Sequence, residues 1–279
     1  MILYLSGQFV GPDAATVPLT DRGLLFGDGI YEVYRVYRGR PFRMKEHLER
    51  LRRSAAEIRL ALPEVDWPGL HAGLLTRNGL EGADATVYIQ VTRGAPATRG
   101  HAFPSSGTAP TLFVAARPFA PPPTELSTRG ATAITRPDLR WGRCDIKSVN
   151  LLANVLARQQ VKQARVFEAI LINAGLVTEG AISNVMVVQG GAVVTAPEGS
   201  RILSGVTRAV VLDLALSEGL SIQERFVSQA DLYKADEVFL TGTTVEVLAV
   251  IRIDGKVIGD GRPGPITRRL ATSFTSRVG

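Results

Sequence analysis

The chain has 279 residues, of which 45% are hydrophobic and 21% are charged, and its formal net charge is +6. This composition excludes a disordered or fibrous protein, and the longest apolar runs are much shorter than the roughly 20 residues of a membrane-spanning helix. The arginines are spread along the chain and interleaved with aspartate and glutamate, which favours solvated surfaces over a nucleic-acid interface. We expect a soluble protein with no membrane or nucleic-acid partner.

The cysteine and histidine content limits the chemistry further. The single cysteine, Cys144, cannot form an internal disulfide, and the N-terminus lacks the basic and apolar regions of a signal peptide. We therefore expect a cytoplasmic protein. The three histidines do not stand at metal-ligand spacing from one another or from Cys144, so the sequence predicts no metal site.

The N-terminal part of the chain contains one helical pattern and two strand-like patterns. Apolar residues at spacings of three and four predict an amphipathic helix over residues 46–62, and β-branched and aromatic residues predict strands over 85–93 and 111–117. Residues 118–124 contain four prolines, which favour an extended segment. The sequence predicts a small N-terminal α/β domain over residues 1–117 and a linker over 118–124.

Residues 125–279 form the predicted larger, C-terminal domain, in which helices and strands are again mixed. Asp254-Gly255 is a typical β-hairpin turn at the end of the last predicted strand. The fold class predicted for the chain is α/β (α+β) in two domains. The predicted helices cover residues 148–164 and 206–219, and the predicted strands cover 168–173, 184–189, 192–196, 237–242 and 246–254.

The chain has five lysines, and one of them stands in an apolar context. A lysine that forms a Schiff base must be unprotonated part of the time, which requires a desolvated or electropositive environment. Lys147 follows Ile146 and precedes Ser148, which is the predicted cap of an apolar helix. We interpret Lys147 as the reactive lysine, the alternative being an ordinary lysine at a helix start. The others have charged, polar or turn neighbours and are predicted to be exposed: Lys45, Lys162, Lys234 and Lys256.

Two short motifs are compatible with anion binding. Gly205-Val206-Thr207 leads into a predicted helix, whose N-terminal N–H groups and dipole could hold a phosphate. Thr241-Gly-Thr-Thr244 ends a predicted strand and is a second cluster of hydroxyl groups. Each motif alone is equally compatible with a helix cap or a plain turn. In combination with a reactive lysine they suggest pyridoxal phosphate.

Seven motifs follow one another along the chain in an order shared with a known family. They cover residues 21–33, 46–51, 91–94 with 99–104, 141–148, 177–180 with 183–184, 205–207 and 241–244. Nearly from end to end, the chain resembles the fold-type IV pyridoxal-phosphate aminotransferases, and within them the D-amino-acid transaminases. The resemblance implies a two-domain enzyme with pyridoxal 5'-phosphate as its cofactor.

The resemblance also implies roles for individual residues toward the cofactor. Lys147 would form the Schiff base with pyridoxal phosphate and move the α-proton of the substrate. Glu179 would face the pyridine nitrogen and keep it protonated. Arg50 would bind the phosphate, and Leu203 would pack against the ring. The groups implied to help Arg50 hold the phosphate belong to Val206, Thr207 and Thr243.

These residues also have ordinary interpretations from the sequence alone. Glu179 would be a turn glutamate, and Arg50 would lie on a solvated helix face in contact with Glu46. Tyr31 follows a tight turn, and its hydroxyl would then satisfy a position in the core.

The substrate class depends on Arg99-Gly-His101. In the D-amino-acid transaminases an Arg-x-His pair of the partner subunit and a tyrosine that corresponds to Tyr31 bind the substrate α-carboxylate, so the resemblance implies a homodimer. On their own, Arg99 and His101 would be surface residues of a loop. The resemblance implies transfer of an amino group from a D-amino acid of the D-alanine or D-glutamate type to a 2-oxo acid.

Two kinds of alternative stay open from the sequence. Within the same fold, the chain would be an (R)-amine or L-branched-chain transaminase, and after these an aminodeoxychorismate lyase. From a different class, the net charge of +6 would belong to a non-catalytic basic protein that binds nucleic acid or acidic metabolites.

Overall fold

The computed structural model describes residues 1–105 and 107–278, and the chain divides into two units. The first unit contains Met1–Ala120 and Ile146–Asn150, and the second contains Pro121–Asp145 and Leu151–Gly279. The division after Ala120 falls within residues 118–124, where the sequence predicted a linker. Residues 146–150 belong to the first unit, whereas the sequence prediction assigned them to the C-terminal domain.

The first unit is built on one antiparallel sheet. In chain order its elements are β1 (Leu3–Leu5), β2 (Gln8–Val10), a 3₁₀ turn (Pro12–Ala14), α1 (Arg22–Phe26), β3 (Gly29–Tyr37), β4 (Arg40–Pro41), α2 (Met44–Glu57), α3 (Trp67–Asn78), β5 (Ala85–Thr92) and β6 (Thr111–Pro118). The strands lie in the order β2-β1-β6-β5-β3-β4.

Alternation of residue types explains how this sheet buries one face. In β5, Val87, Ile89 and Val91 are buried, and the residues between them are only half-buried because successive strand residues point to opposite faces. The buried residues of β5 pack in one core cluster with the apolar stripe of α2, which includes Leu48 and Leu51. The half-buried residues on the other face of β5 do not belong to this core cluster.

The second unit is built on a nine-stranded mixed sheet. In chain order its elements are α4 (Thr124–Arg129), β7 (Ala131–Pro137), α5 (Leu152–Ala164), β8 (Glu168–Asn173), β9 (Leu176–Gly180), β10 (Asn184–Gln189), β11 (Ala192–Thr195), α6 (Val206–Ser217), β12 (Ile222–Glu224), α7 (Gln229–Leu232), β13 (Glu237–Gly242), β14 (Glu246–Ile253), β15 (Lys256–Val257) and α8 (Pro265–Val278). The strand order is β12-β11-β10-β13-β14-β7-β8-β9, and β15 pairs with β14. Both units combine helices with a sheet, so the predicted α/β (α+β) class is confirmed.

Among the described residues, no helix combines the length and the apolar stretch that crossing a bilayer would need.

Most predicted strands agree with the structure to within a residue, but two helix boundaries are wrong. The helix predicted over residues 46–62 ends at Glu57, because the chain turns at Arg59, whose φ of +51° is left-handed. The helix predicted from Ser148 begins at Leu152. Ser148 is not its cap, because this residue is in extended conformation and forms a β-bridge with Ile30.

This bridge belongs to a short segment, residues 146–150, that pairs with the start of β3. Tyr31 donates a backbone hydrogen bond to the carbonyl of Lys147 at 2.9 Å, and Val149 donates one to the carbonyl of Gly29 at 3.1 Å. On the same strand, β4 pairs only with Val36 and Tyr37 at the far end. Residues 146–150 therefore pair with backbone groups of β3 that β4 does not reach.

Gly94 follows β5 and opens the loop that connects it to β6. Its φ is +83°, and a Cβ there would lie 1.9 Å from the carbonyl oxygen of Ala109. We expect Gly94→Ala to lower the free energy of unfolding by roughly 1–3 kcal/mol, because both the backbone conformation and the main-chain contact exclude a side chain. Urea unfolding measures the change. Gly82→Ala, at a position with open space, is the control, and equal losses for both variants would contradict this account.

Candidate functional site

Burial separates Lys147 from the other lysines. Lys147 is half-buried, whereas the other four are exposed, as the sequence predicted. Among the residues that the structure describes, no carboxylate forms an ion pair with Lys147, in contrast to Lys45, which lies 3.9 Å from a carboxylate oxygen of Glu49. The amine of Lys147 is therefore partly shielded from water and has no anionic partner in the described part of the chain.

The main chain of Lys147 is fixed, and its side chain lies over an aromatic surface. Its backbone N–H donates to Ser54 Oγ of α2 at 3.2 Å, while its carbonyl accepts from Tyr31 of β3. The Nζ atom is 4.3 Å from the centroid of the Tyr31 ring, which stacks on Tyr88 at a centroid distance of 5.7 Å. The structure brings together two of the predicted site residues, Lys147 and Tyr31.

A buried charged cluster lies on the opposite face of β3. Glu32 is fully buried, and its two carboxylate oxygens accept hydrogen bonds from Arg50 Nε at 2.6 Å and Arg50 Nη2 at 2.9 Å. His47 Nδ1 donates to Glu32 Oε2 at 2.8 Å. Arg50 and His47 are three residues apart on α2, so both reach β3 from one helix face.

The protonation states of this cluster follow from its burial and contacts. Burial alone would raise the pKa of Glu32, but the charge and hydrogen bonds of Arg50, together with His47, lower it to about 2. Burial lowers the pKa of His47, although the hydrogen bond to Glu32 acts in the opposite direction. At neutral pH, Glu32 is ionised, His47 is neutral and Arg50 is the compensating cation.

The interpretation of Arg50 as part of a solvated helix face is wrong. Arg50 is 4% exposed and pairs with Glu32, while Glu46 pairs with Arg43 instead. Its predicted role as a phosphate ligand stays a prediction. The two hydrogen bonds to Glu32 fix the orientation of the Arg50 guanidinium.

Arg99 and His101 lie on the loop between β5 and β6 and are exposed. Both contact the ring of Phe26 at the end of α1. The guanidinium carbon of Arg99 is 4.8 Å from the ring centroid, and the imidazole centroid of His101 is 5.2 Å from it. The predicted carboxylate-binding pair is thus gathered around one aromatic side chain.

In the second unit, Glu179 is buried among hydrogen-bond donors. One carboxylate oxygen accepts from Arg140 Nη1, and the other accepts from Asn184 Nδ2 at 2.9 Å and from the backbone N–H of Leu203 at 3.0 Å. Asp138 in turn holds Arg140 through a 2.7 Å ion pair. Burial alone would lower the pKa of Arg140, but the two carboxylates outweigh it and raise the pKa. This environment favours an ionised Glu179.

The N-terminus of α6 lies next to Asn184, one of the residues that donate to Glu179. Gly205 is its N-cap and supplies no capping side chain, and Val206 and Thr207 are the first helical residues, both buried. A Cβ at Gly205 would lie 2.0 Å from Oδ1 of Asn184, so the close approach of this turn requires glycine. The backbone N–H groups of the first turn have no partners within the helix and are suited to an anion.

The hydroxyl cluster at the end of β13 contains one buried group without a partner. Among the residues that the structure describes, the Oγ1 atom of Thr241 is buried and has no hydrogen-bond partner. Thr243, the predicted phosphate contact, follows Gly242 at the end of β13 and is half-buried. An unsatisfied buried hydroxyl is costly and is more often found where a ligand or ordered water binds.

The sequence patterns did not indicate four residues of these clusters: Glu32, His47, Arg140 and Asn184. One signal existed for Glu32: it stands in β3 between Ile30 and Tyr34 at a spacing of two, where an apolar core residue is expected. Arg140 gave no such signal, because it meets Glu179 only through the folding of the second unit.

Comparison with known proteins identifies the family to which the chain belongs. A family model described as amino-transferase class IV matches residues 29–253, which is well over half of the chain. The protein belongs to the class IV aminotransferases. Residues 29–253 of this class IV aminotransferase include Lys147, Glu179 and the start of α6. It is an enzyme that transfers amino groups, and the alternative of a non-catalytic basic protein is wrong.

Relatives of this class IV aminotransferase extend over its whole length. The D-alanine aminotransferase of Bacillus licheniformis is 42% identical over 280 aligned positions, which cover 100% of this chain and 97% of that protein. The D-alanine aminotransferase of Staphylococcus haemolyticus is 40% identical, with coverage of 99% and 97%.

Solved structures of branched-chain aminotransferases share the fold. The enzyme of Escherichia coli superposes with a TM-score of 0.89 at 27% identity, covering 99% of this chain and 93% of that chain. The enzyme of Thermobaculum terrenum in its PLP form gives a TM-score of 0.83 at 27% identity, with the same coverage. Both comparisons confirm the two-sheet architecture of a fold-type IV aminotransferase.

Proposed function

We propose that this class IV aminotransferase moves the amino group of a D-amino acid, of the D-alanine or D-glutamate type, to a 2-oxo acid, with pyridoxal phosphate as its cofactor. The observation that carries the chemistry is Lys147, a half-buried amine without an anionic partner among the described residues. The substrate class is supported by the full-length relatives, which are D-alanine aminotransferases, and by the Arg99-Gly-His101 motif.

The donor and acceptor groups of the second unit fit pyridoxal phosphate. When bound, this cofactor supplies an aldehyde that condenses with amines and a ring that accepts electrons. Glu179, held ionised by Arg140, is suited to keep a pyridine nitrogen protonated. The N–H groups of Val206 and Thr207 at the uncapped start of α6 are suited to the phosphate, and the unpartnered hydroxyl of Thr241 indicates room for a polar ligand nearby.

Three further residues are proposed for the cofactor. Arg50 would add a guanidinium charge for the phosphate, with Glu32 fixing its orientation. Thr243 would contribute a hydroxyl donor from the end of β13. Leu203, whose backbone N–H already contacts Glu179, would present its side chain to the ring.

Lys147 is the group that we propose to hold and move the α-proton, at its Nζ atom. Among the described residues no carboxylate pairs with this amine, so its Nζ atom is not engaged in an ion pair. The backbone contacts to Tyr31 and Ser54 hold the residue in place. The side chain lies against the Tyr31 ring, which excludes water from one side of the amine.

The substrate carboxylate would be bound by Tyr31, Arg99 and His101. A guanidinium gives two parallel hydrogen bonds to a carboxylate, and the imidazole and phenol groups give further donors. Arg99 and His101 are exposed in the single chain, which supports the proposal that they serve the site of a partner subunit in a homodimer.

A half-reaction with a panel of amino donors tests the proposed function. We expect D-alanine and D-glutamate to discharge the visible absorption of the holoenzyme and to yield the corresponding 2-oxo acids, whereas L-leucine and an (R)-amine leave the spectrum unchanged. A protein that responds to L-leucine and not to D-alanine would instead be an L-branched-chain transaminase. That second candidate is favoured by the fold similarity to branched-chain aminotransferases.

A further inference from the structure

The loop that carries Arg99 and His101 makes few contacts of its own. Residues 97–103 are exposed, and this stretch contains no helix or strand. Within residues 1–105 and 107–278, Arg22 is the one side chain that donates hydrogen bonds to the backbone of residues 99–103. The conformation of the loop at the Arg-x-His motif therefore depends on a residue of α1, far away in sequence.

Arg22 holds three consecutive carbonyl groups of this loop. Its Nη1 donates to the carbonyls of Gly100 at 2.5 Å and Ala102 at 3.1 Å, and its Nη2 donates to the carbonyl of His101 at 3.1 Å. Arg22 is 4% exposed, so these bonds are shielded from water. A guanidinium can bind several carbonyl groups in a fixed geometry, which an ammonium group cannot reproduce.

Arg22 is itself fixed by an ion-pair network in which both arginines are buried and the shared carboxylate of Asp28 is half-buried. Its Nε donates to Asp28 Oδ2 at 2.8 Å, and Arg93 contacts both oxygens of the same carboxylate, at 2.8 and 3.0 Å. Arg93 also donates to the carbonyls of Ile58 and Arg59 at the end of α2. Burial alone would raise the pKa of Asp28, but Arg93 and Arg22 lower it, so Asp28 is ionised at neutral pH.

The helix α1 is anchored to the sheet at its N-terminus. Asp21 caps α1 by accepting from the N–H of Gly23, and its other oxygen accepts from the hydroxyls of Thr92 at 2.8 Å and Thr111 at 2.7 Å. Thr92 ends β5 and Thr111 begins β6, so Asp21 ties α1 to both strands that flank the loop.

At its C-terminus, α1 presents Phe26 to the side chains of the loop. The ring of Phe26 faces the guanidinium groups of Arg22 and Arg99, each at 4.8 Å from the centroid, and the imidazole of His101 at 5.2 Å. Cation–π contacts orient an exposed arginine that has no carboxylate partner among the described residues.

We propose that α1 is the positioning element of the substrate-carboxylate site: Arg22 sets the backbone of residues 100–102, and Phe26 orients the side chains of Arg99 and His101. This inference rests on the proposed function, in which Arg99 and His101 bind the substrate carboxylate. Arg22 and Phe26 touch neither substrate nor cofactor in this scheme. They act through the two residues that do, so their loss weakens carboxylate binding more than the chemical step.

The test compares Phe26→Leu and Arg22→Lys with the wild-type holoenzyme. We expect each variant to raise the apparent KM for D-alanine at least fivefold, with kcat changed less than twofold. Phe103→Leu is the matched control, because this loop aromatic faces Arg59 and Arg93 rather than Arg99 and His101, at 5.0 and 3.8 Å. We expect its KM to stay within twofold. If Arg22→Lys fails to fold, Phe26→Leu decides, since leucine preserves an apolar side chain.

A double-mutant cycle with Arg99→Ala separates positioning from a general loss of structure. In the Arg99→Ala background, Phe26→Leu should raise the KM for D-alanine by a smaller factor than it does in the wild type, because one of the two side chains that it orients is gone. Full additivity of the two effects would overturn the inference, as would an unchanged KM in Phe26→Leu. If Arg99→Ala alone leaves the KM unchanged, the carboxylate site of the proposed function is wrong and the inference fails with it.

Discussion

Lys147→Ala is expected to abolish amino transfer and to remove the visible absorption of the bound cofactor. Proton transfer by a positioned side chain contributes roughly 10²–10⁴-fold to a rate, and the variant lacks the amine at Nζ altogether. The side chain has no ion-pair partner among the described residues and one aromatic contact, so we expect the free energy of unfolding to change by less than about 1 kcal/mol.

The measurements for Lys147→Ala are the half-reaction rate with D-alanine, the absorption spectrum and urea unfolding. Lys234→Ala is the matched control, because Lys234 is exposed and should affect none of the three. Activity retained within tenfold of the wild type would contradict the assignment of Lys147, and a large loss of stability would show that its role is structural.

Glu32→Gln is expected to cause the largest loss of stability of the single substitutions considered. The change removes the buried negative charge that pairs with the guanidinium of Arg50, and breaking a buried ion pair from one side costs about 3–5 kcal/mol. Urea unfolding at pH 7 measures the effect. Glu49→Gln, which removes the exposed partner of Lys45, is the control and should cost less than about 1 kcal/mol.

The same variant tests the pH dependence of this cluster. Folded Glu32 has a pKa of about 2, below its ordinary value of 4.5, so its contribution to stability is complete above pH 4.5 and is lost as the pH falls toward 2. The difference in stability between wild type and Glu32→Gln should therefore shrink over that range. A difference that stays constant from pH 5 to pH 3 would show that the charge of Glu32 is not what stabilises the fold.

Lowering the pH should also reduce the contribution of His47 to stability, at a higher pH than for Glu32. Burial lowers the pKa of His47 below its ordinary value of 6.5, so the unfolded chain takes up a proton there before the folded chain does. The contribution of neutral His47 is complete above pH 6.5 and declines below it.

The local pattern of residue types was enough to predict much of the fold. The strands β8, β10 and β13 have the predicted limits because each is a short, almost continuously buried run that is rich in apolar residues. The helix α3 was missed, because its two glycines, Gly69 and Gly73, weaken the helical pattern. Residues 148–151 were predicted as helix because their apolar pattern suits one, whereas pairing with β3 overrides that preference.

For the site, composition was more informative than periodicity. With five lysines in the chain, the apolar neighbours of Lys147 set it apart from the other four, and it is the one that is half-buried, while its catalytic role stays a prediction. The partners of the charged residues could not be predicted, because Glu32 meets Arg50 across 18 positions and Arg22 meets Gly100 across 78. Such pairs are fixed by tertiary structure, and a single sequence carries no signal for them.

Residues 146–150 belong to the first unit although the residues before and after them belong to the second. This arrangement limits where two such enzymes can be joined in a chimera. The chain passes from one unit to the other three times, after Ala120, Asp145 and Asn150. A chimera of two related enzymes joined in the proline-rich segment would place the lysine segment of one parent on the β3 strand of the other. We expect a chimera to fold where residues 29–31 and residues 146–150 come from the same parent. These two segments then have to be exchanged together, although they are far apart in the sequence.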